Sequence, residues 1–220
     1  MDIKEAILNR HSVRTYLDKP LDPEVTEKLR LIIDRCNEES GLHIQLVLNE
    51  PKAFDSAMAH YGKFSGVTNY LALIGKKGPD LEEKCGYYGE QIVLEAQRLG
   101  LNTCWVALTY KKIPSAFVVD KGEKLSVVIA LGYGATQGRE HRSKSVGEVS
   151  NCTGDSPEWF RNGVEYALLA PTAVNQQKFF FTLEGDKVST KVGRAFYTKM
   201  DLGIAKYHFE IGSGRTDIWQ

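Results

Sequence analysis

Apolar residues follow two rhythms along the chain. Val25, Leu29, Ile32, Ile33 and Cys36 recur at helical spacing behind Asp22-Pro23, a pair suited to the N-cap and first helical position. The same rhythm predicts a first helix over Ile3–Arg10, a short one near 52–61, and the longest over 80–99, with Gly100 as its C′ residue. Another helix starts at Ser156-Pro157 and carries Trp159, Phe160, Val164 and Leu168, and a last one spans 201–211 before a Gly/Ser-rich tail. Continuous apolar runs at 42–48, 69–74, 103–108 and 125–131 read as strands. Their lack of polar alternation predicts a sheet covered on both faces. Residues 179–183 and 188–192 form a predicted hairpin across Glu184-Gly185-Asp186. The pattern is that of an α+β protein with helices layered on either side of one sheet, a three-layer α/β/α arrangement.

Composition narrows the function classes. A chain of 220 residues makes one large domain or two small ones. Lys+Arg and Asp+Glu number 28 each, so no basic excess is available for a nucleic-acid surface. No apolar run reaches the length of a membrane span, and Asp2, Lys4 and Glu5 interrupt any signal-peptide core, which points to a cytoplasmic protein. Cys36, Cys85, Cys104 and Cys152 form no CxxC pair, and the histidines show no HExxH spacing. Buried thiols and no metal site are expected.

The chemistry-bearing stretches lie elsewhere. In Arg10-His11-Ser12-Val13-Arg14 two guanidiniums flank a hydroxyl where the first helix turns into extended chain. There Ser12 and Arg14 share one side and can converge on a phosphate. Favourable basic charge at a helix C-terminus explains the same residues. A basic loop offers Arg139, Arg142 and Lys144, either as a solvated surface or as further phosphate donors. Ala170-Pro171-Thr172-Ala173-Val174-Asn175-Gln176-Gln177 ends a helix with polar side chains able to read a heterocycle's edge, although ordinary turn capping accounts for them equally. Gly132-Tyr133-Gly134-Ala135-Thr136-Gln137-Gly138 mimics a dinucleotide fingerprint, but no amphipathic helix follows it. Its glycines read instead as a tight exit from a strand.

Together these stretches resemble the FMN-dependent nitroreductases. Arg10–Tyr16 is similar to that family's opening R-[RH]-S-x-[RK]-x-[FY] motif. Ala170–Lys178 is similar to A-P-S-x-x-N-x-Q-P, with Thr172 for Ser and Lys178-Phe179 in place of Pro-Trp. Leu99–Val106 resembles G-L-x-x-x-W, and Lys144–Val149 resembles the C-terminal R-K-x-L-E-E-V. The order differs, because the A-P-S-x-x-N-like loop follows the basic C-terminal motif. Asp201–Phe209 echoes the Cys85–Val93 helix. The resemblance therefore implies a nitroreductase-like core with a central mixed sheet over residues 1–150 and a partial second repeat over 157–220. Such a single-chain pseudo-dimer would be a monomer or weak homodimer holding one FMN.

The resemblance also assigns roles. Arg10, His11, Ser12, Arg142 and Lys144 would serve the FMN phosphate and ribityl end. Arg14, and Lys63 beside it, would serve the pyrimidine edge, where positive charge favours the reduced flavin. Ala107 and Leu108 would approach the ring nitrogen that takes hydride, and Pro171, Thr172, Ala173 and Asn175 would line the ring. The implied activity is reduction of a small-molecule acceptor, a nitroaromatic or quinone, by NAD(P)H in ping-pong fashion, with no catalytic acid or base. An FMN-binding storage or sensor protein without turnover is the alternative.

Overall fold

The computed structural model describes residues 1–220. Its contacts divide the chain into two compact units. One comprises Arg10–Leu81 and Gln91–Glu140, the other Met1–Asn9, Glu82–Glu90 and His141–Gln220.

The first unit is built on a four-stranded sheet of order β1-β2-β4-β3, formed by β1 (Gln45–Val47), β2 (Asn69–Lys76), β3 (Asn102–Val106) and β4 (Glu123–Gly132). All pairings between these strands are antiparallel. Isolated parallel bridges join Ser12 to Thr103 of β3 and Thr15 to Ser65 outside the sheet. β2 is buried from Asn69 to Gly75, which is why its sequence lacks alternation. Helix α2 (Pro23–Ser40) turns Leu29, Ile33 and Cys36 inward and ends at Gly41, whose left-handed backbone is the cheap conformation for a residue without Cβ. Asp22 does precede the helix, but its carboxylate accepts from the Tyr133 hydroxyl at 2.7 Å rather than capping. The short helix near 52–61 is confined to α3 (Ala57–Tyr61), because Ser56 caps it by accepting from the Ala59 amide. Phe54, Phe64 and Tyr70 meet edge to face beneath this helix, within a core that also holds Val13, Tyr16, Val106 and Val128.

The second unit packs α1 (Ile3–Asn9), α5 (Val146–Val149), α6 (Glu158–Ala167) and the β5–β6 hairpin (Phe179–Glu184, Lys187–Val192) around α7 (Thr198–Ser213). α7 starts earlier than its apolar pattern suggested and is buried on nearly every side, as a central helix must be. Phe160, Phe179, Phe181, Phe209 and Trp219 form one aromatic cluster. Each fully buried ring contributes roughly 1.5–3 kcal/mol. Helix α4 (Leu81–Arg98) gives Glu82–Glu90 to this unit. There it crosses α7 at two glycines: a Cβ on Gly86 would lie 2.1 Å from the Met200 carbonyl oxygen, and one on Gly203 would lie 2.0 Å from that of Glu83. The crossing is symmetric, since each glycine faces the residue three before its counterpart and the residue one after it, Ile204 and Tyr87 respectively.

Candidate functional site

The opening motif is the most heavily stitched non-regular segment of the first unit. Val13 donates to the Thr103 carbonyl, Ser65 to that of Arg14, Tyr16 to that of Ser65, Leu17 to that of Tyr133, and Ala135 to that of Thr15. Val13 and Tyr16 are buried, while Ser12 is half-buried and Arg14 exposed, so the side-chain alternation follows the extended backbone. The Tyr16 hydroxyl donates to the Val13 carbonyl at 2.8 Å. Two glycines permit this seating. Gly66 admits the Tyr16 carbonyl, 2.3 Å from where its Cβ would stand. Gly138, at φ +75, lies against His11 Cβ and the Ser12 carbonyl.

Ser12 is bridged to Thr103, so the motif runs beside Cys104 of β3, whose thiol is affected by Arg10, Ser12 and Arg14. Burial pushes this thiol up, while the charge of Arg14, a hydrogen bond with the Ser12 side chain and the charge of Arg10 pull it back. The two guanidiniums differ in setting: Arg10 is 4% exposed, whereas Arg14 lies at the surface with its guanidinium 5.9 Å from the Phe64 ring centroid. Lys63, exposed and left-handed at φ 60, immediately precedes Phe64. Gly62 packs against Thr109, where a Cβ would come 2.6 Å from Thr109 Cβ. This contact brings the Lys63 turn beside the bend after β3 that holds half-buried Ala107 and Leu108, the latter 69% exposed. The residues expected from the first half of the chain thus line one end of the sheet. Their chemistry, two guanidiniums, a hydroxyl and an ammonium beside apolar ring surface, suits a phosphate-bearing aromatic ligand.

In the second unit the basic loop and the 170–177 loop are joined. The Arg142 carbonyl accepts from Asn175 Nδ2 at 2.7 Å. Lys144 donates its backbone N–H to Gln177 Oε1 and its ammonium to the Gln177 carbonyl, both at 2.8 Å. The ammonium expected to meet phosphate is therefore also the brace of this loop. Pro171 and Thr172 lead into a 3-10 turn, Ala173–Asn175, in which Val174 and Asn175 take positive φ, as does Gln177 beyond it. Buried Asp201 of α7 accepts from the Ala173 amide at 2.9 Å and from Gln176 Nε2 at 2.6 Å. Its burial raises its carboxyl to about 6, against the two hydrogen bonds, which lower it. In the sequence Gly138 figures only as part of a fingerprint-like stretch and Asp201 only as the start of a helix. Only a buried acidic residue opening an otherwise apolar helix hints at the first.

His43, Asp120 and Glu123 gather their ligand atoms within 4.8 Å, yet the hydrogen bonds assign the group another task. Gln45 is fixed by two hydrogen bonds with the Val118 backbone, donating to its carbonyl and accepting from its N–H, and its amide nitrogen faces His43 Nε2 at 3.1 Å. Nε2 must then carry the lone pair, and Nδ1 donates its proton to Glu123 at 2.9 Å. The cluster ties the approach to β1 to the start of β4. No helix is long and apolar enough to cross a membrane.

Comparison with known proteins bears on the family and the fold. Residues 2–213 match the family described as "Putative TM nitroreductase". A crystal structure of a "putative nitroreductase" from Thermotoga maritima is similar at 24% identity and TM-score 0.70, covering 96% of this chain and 83% of that one. A "Putative NADH dehydrogenase/NAD(P)H nitroreductase" from Bacteroides thetaiotaomicron is 20% identical at TM-score 0.52, covering 67% and 95%. A nitroreductase family protein from Streptococcus pneumoniae is 14% identical at TM-score 0.54, covering 67% and 98%. No curated protein matches the chain.

Proposed function

The chain belongs to this nitroreductase family, and from that premise we propose that it is an FMN-dependent oxidoreductase. In this reading NAD(P)H is the donor and a nitroaromatic, quinone or similar small molecule the acceptor. The observation that carries it is the placement of Arg10, Ser12 and Arg14 beside Cys104, on a segment held in place by Gly66 and Gly138. Arg14 and Ser12 donate to the phosphate or the ring edge, Arg10 adds positive charge from the interior, and Lys63 and Arg14 provide the cationic border of an apolar face. Arg142, Lys144, Pro171, Thr172, Ala173 and Asn175 enter as flavin contacts on the family motifs they match. FMN supplies hydride chemistry when bound, so the side chains bind and orient and none needs to act as acid or base.

The reciprocal glycine crossing of α4 and α7 supports reading the second unit as a partial repeat; a cytoplasmic pseudo-dimer, monomeric or weakly dimeric, is part of the same proposal. Phe179, standing where the family motif has Trp, is buried in the aromatic cluster. That placement favours, as a second reading, flavin binding without turnover.

FMN titration of the purified protein followed by NAD(P)H oxidation with a panel of acceptors tests both readings. Saturable binding with acceptor-dependent oxidation is expected. Binding without oxidation selects the storage or sensor reading, and no binding defeats both.

A further inference from the structure

We propose that Asp201 is a positioning residue for the flavin: it holds the Ala173–Gln176 turn in the shape that presents Thr172, Ala173 and Asn175. The inference rests on the FMN reading and names what keeps that part of the site in order.

The turn is an unfavourable piece of backbone. Val174, a β-branched residue, sits at φ 46 and is 97% exposed, followed by Asn175 at φ 55 and, one residue on, Gln177 at φ 44. Left-handed backbone at such residues persists only where surrounding groups over-determine it. Val174 contributes nothing to that, because its side chain is in solvent. The determinants are polar and come from outside the turn. Asp201 takes the Ala173 amide on one carboxylate oxygen and the Gln176 amide on the other. Gln176 is further oriented by donating to the Phe196 carbonyl at 2.9 Å. Asn175 is held by the Arg142 carbonyl and Gln177 by the Leu168 carbonyl and Lys144. Asp201 is the only carboxylate among these holders. It is 4% exposed, and both of its hydrogen bonds go to the turn rather than to a cation.

A group kept ionised at such depth with both oxygens committed to one loop is better explained by that loop's shape than by packing. A carboxylate also gains from its place in the first turn of α7, where the helix dipole favours negative charge. The charged groups on neighbouring elements are Glu82 and Glu83 of α4 and Lys144 of the basic loop. Glu82 bears on Tyr197, Glu83 is paired with Lys206 at 2.6 Å, and the Lys144 ammonium is held by Gln177. The two hydrogen bonds favour the ionised carboxylate, but burial outweighs them and raises the carboxyl, so opening the turn to water is linked to loss of the proton and is easier as pH rises.

The test compares wild type with Asp201→Asn, Asp201→Ala and Gln176→Ala in the full chain. It uses FMN titration and hydrogen exchange at the Ala173 and Asn175 amides of the flavin-free protein. In Asp201→Ala, loss of two hydrogen bonds to a charged group is expected to weaken FMN binding at least about tenfold. The Ala173 amide should lose protection while the β2 and β4 amides keep theirs. Asp201→Asn, which retains the Ala173 bond, should fall between. Wild-type protection of the turn should fall as pH rises through about 6, and that dependence should vanish in Asp201→Asn. If Asp201→Ala does not fold, Gln176→Ala removes the same link from the loop side. Wild type that binds FMN alongside variants of unchanged affinity overturns the inference and leaves the function standing. Wild type that binds no FMN overturns the function and the inference with it.

Discussion

Gly86 and Gly203 occupy one contact between two helices, each where the other helix's backbone passes too close for any side chain. A Cβ on Gly203 would stand 2.0 Å from the Glu83 carbonyl oxygen, and main chain cannot yield as a flexible side chain can. Gly203→Ala should therefore cost more than the roughly 1–3 kcal/mol of ordinary overpacking. Urea unfolding would show it as a lower midpoint or as failure to fold. An alanine at Gly147, which has open space around it, should change little.

Glu90 and His208 make a fully buried pair at 2.9 Å, with His208 Nδ1 directed at the Tyr166 carbonyl. His208→Ala removes one member of a buried hydrogen-bonded pair and should destabilise by about 3–5 kcal/mol. Replacing both residues by leucine should recover much of that loss. Denaturation of the two variants side by side measures the difference, and equal losses would show that the broken pairing is not what destabilises His208→Ala.

The two guanidiniums of the opening motif should separate by experiment. Arg14 is exposed, so Arg14→Ala should leave stability within about 0.5 kcal/mol and weaken FMN binding by roughly tenfold to a hundredfold. Arg10 is 4% exposed, so Arg10→Ala should lower stability as well as affinity. Thermal melts with and without FMN distinguish the two patterns.

Asp201 is also a stability element with a definite sign. Its carboxyl is raised in the folded state from 3.8 to about 6, so its favourable contribution is present below the unfolded value and is lost as pH rises through about 6. Between about pH 4 and pH 8 the stability difference should move in favour of Asp201→Asn by up to about 3 kcal/mol. Urea midpoints at both pH values would reveal it, and a pH-independent difference would contradict a buried ionised group.

Thiol accessibility follows from burial. Cys36, Cys85 and Cys104 are buried, burial lifts the Cys36 thiol to about 11, and Cys152 is partly exposed. Disulfide-exchange reagents at mildly alkaline pH should modify Cys152 rapidly and the others only on unfolding.

Elements with strong periodicity were readable in the sequence, and their ends were set by things periodicity does not carry. β2 and β4 match their apolar runs because burial on both faces leaves no other composition. α3 is short because its cap is Ser56, whose hydroxyl accepts from the Ala59 amide. Arg10, Ser12 and Arg14 could be proposed together from spacing along extended chain. Their position beside Cys104 could not, since it depends on a bridge to a distant strand. Gly138 looked like half of a nucleotide fingerprint, and its use against His11 emerges only from tertiary packing. Asp201 was legible as a helix residue but not as the holder of a loop, because its partners Ala173 and Gln176 are remote in sequence.

The threading of the opening motif has a kinetic consequence. Its bridges reach Ser65, Thr103 and Gly134, so it can settle only after the loops enclosing those residues have closed. Closing long loops costs entropy before any contact returns it, so this segment is expected to dock among the last parts of its unit. Pulse labelling of the Val13 amide during refolding, set against amides of β2, would time that step. Ligand uptake by the nascent chain would then report completed folding rather than promote it.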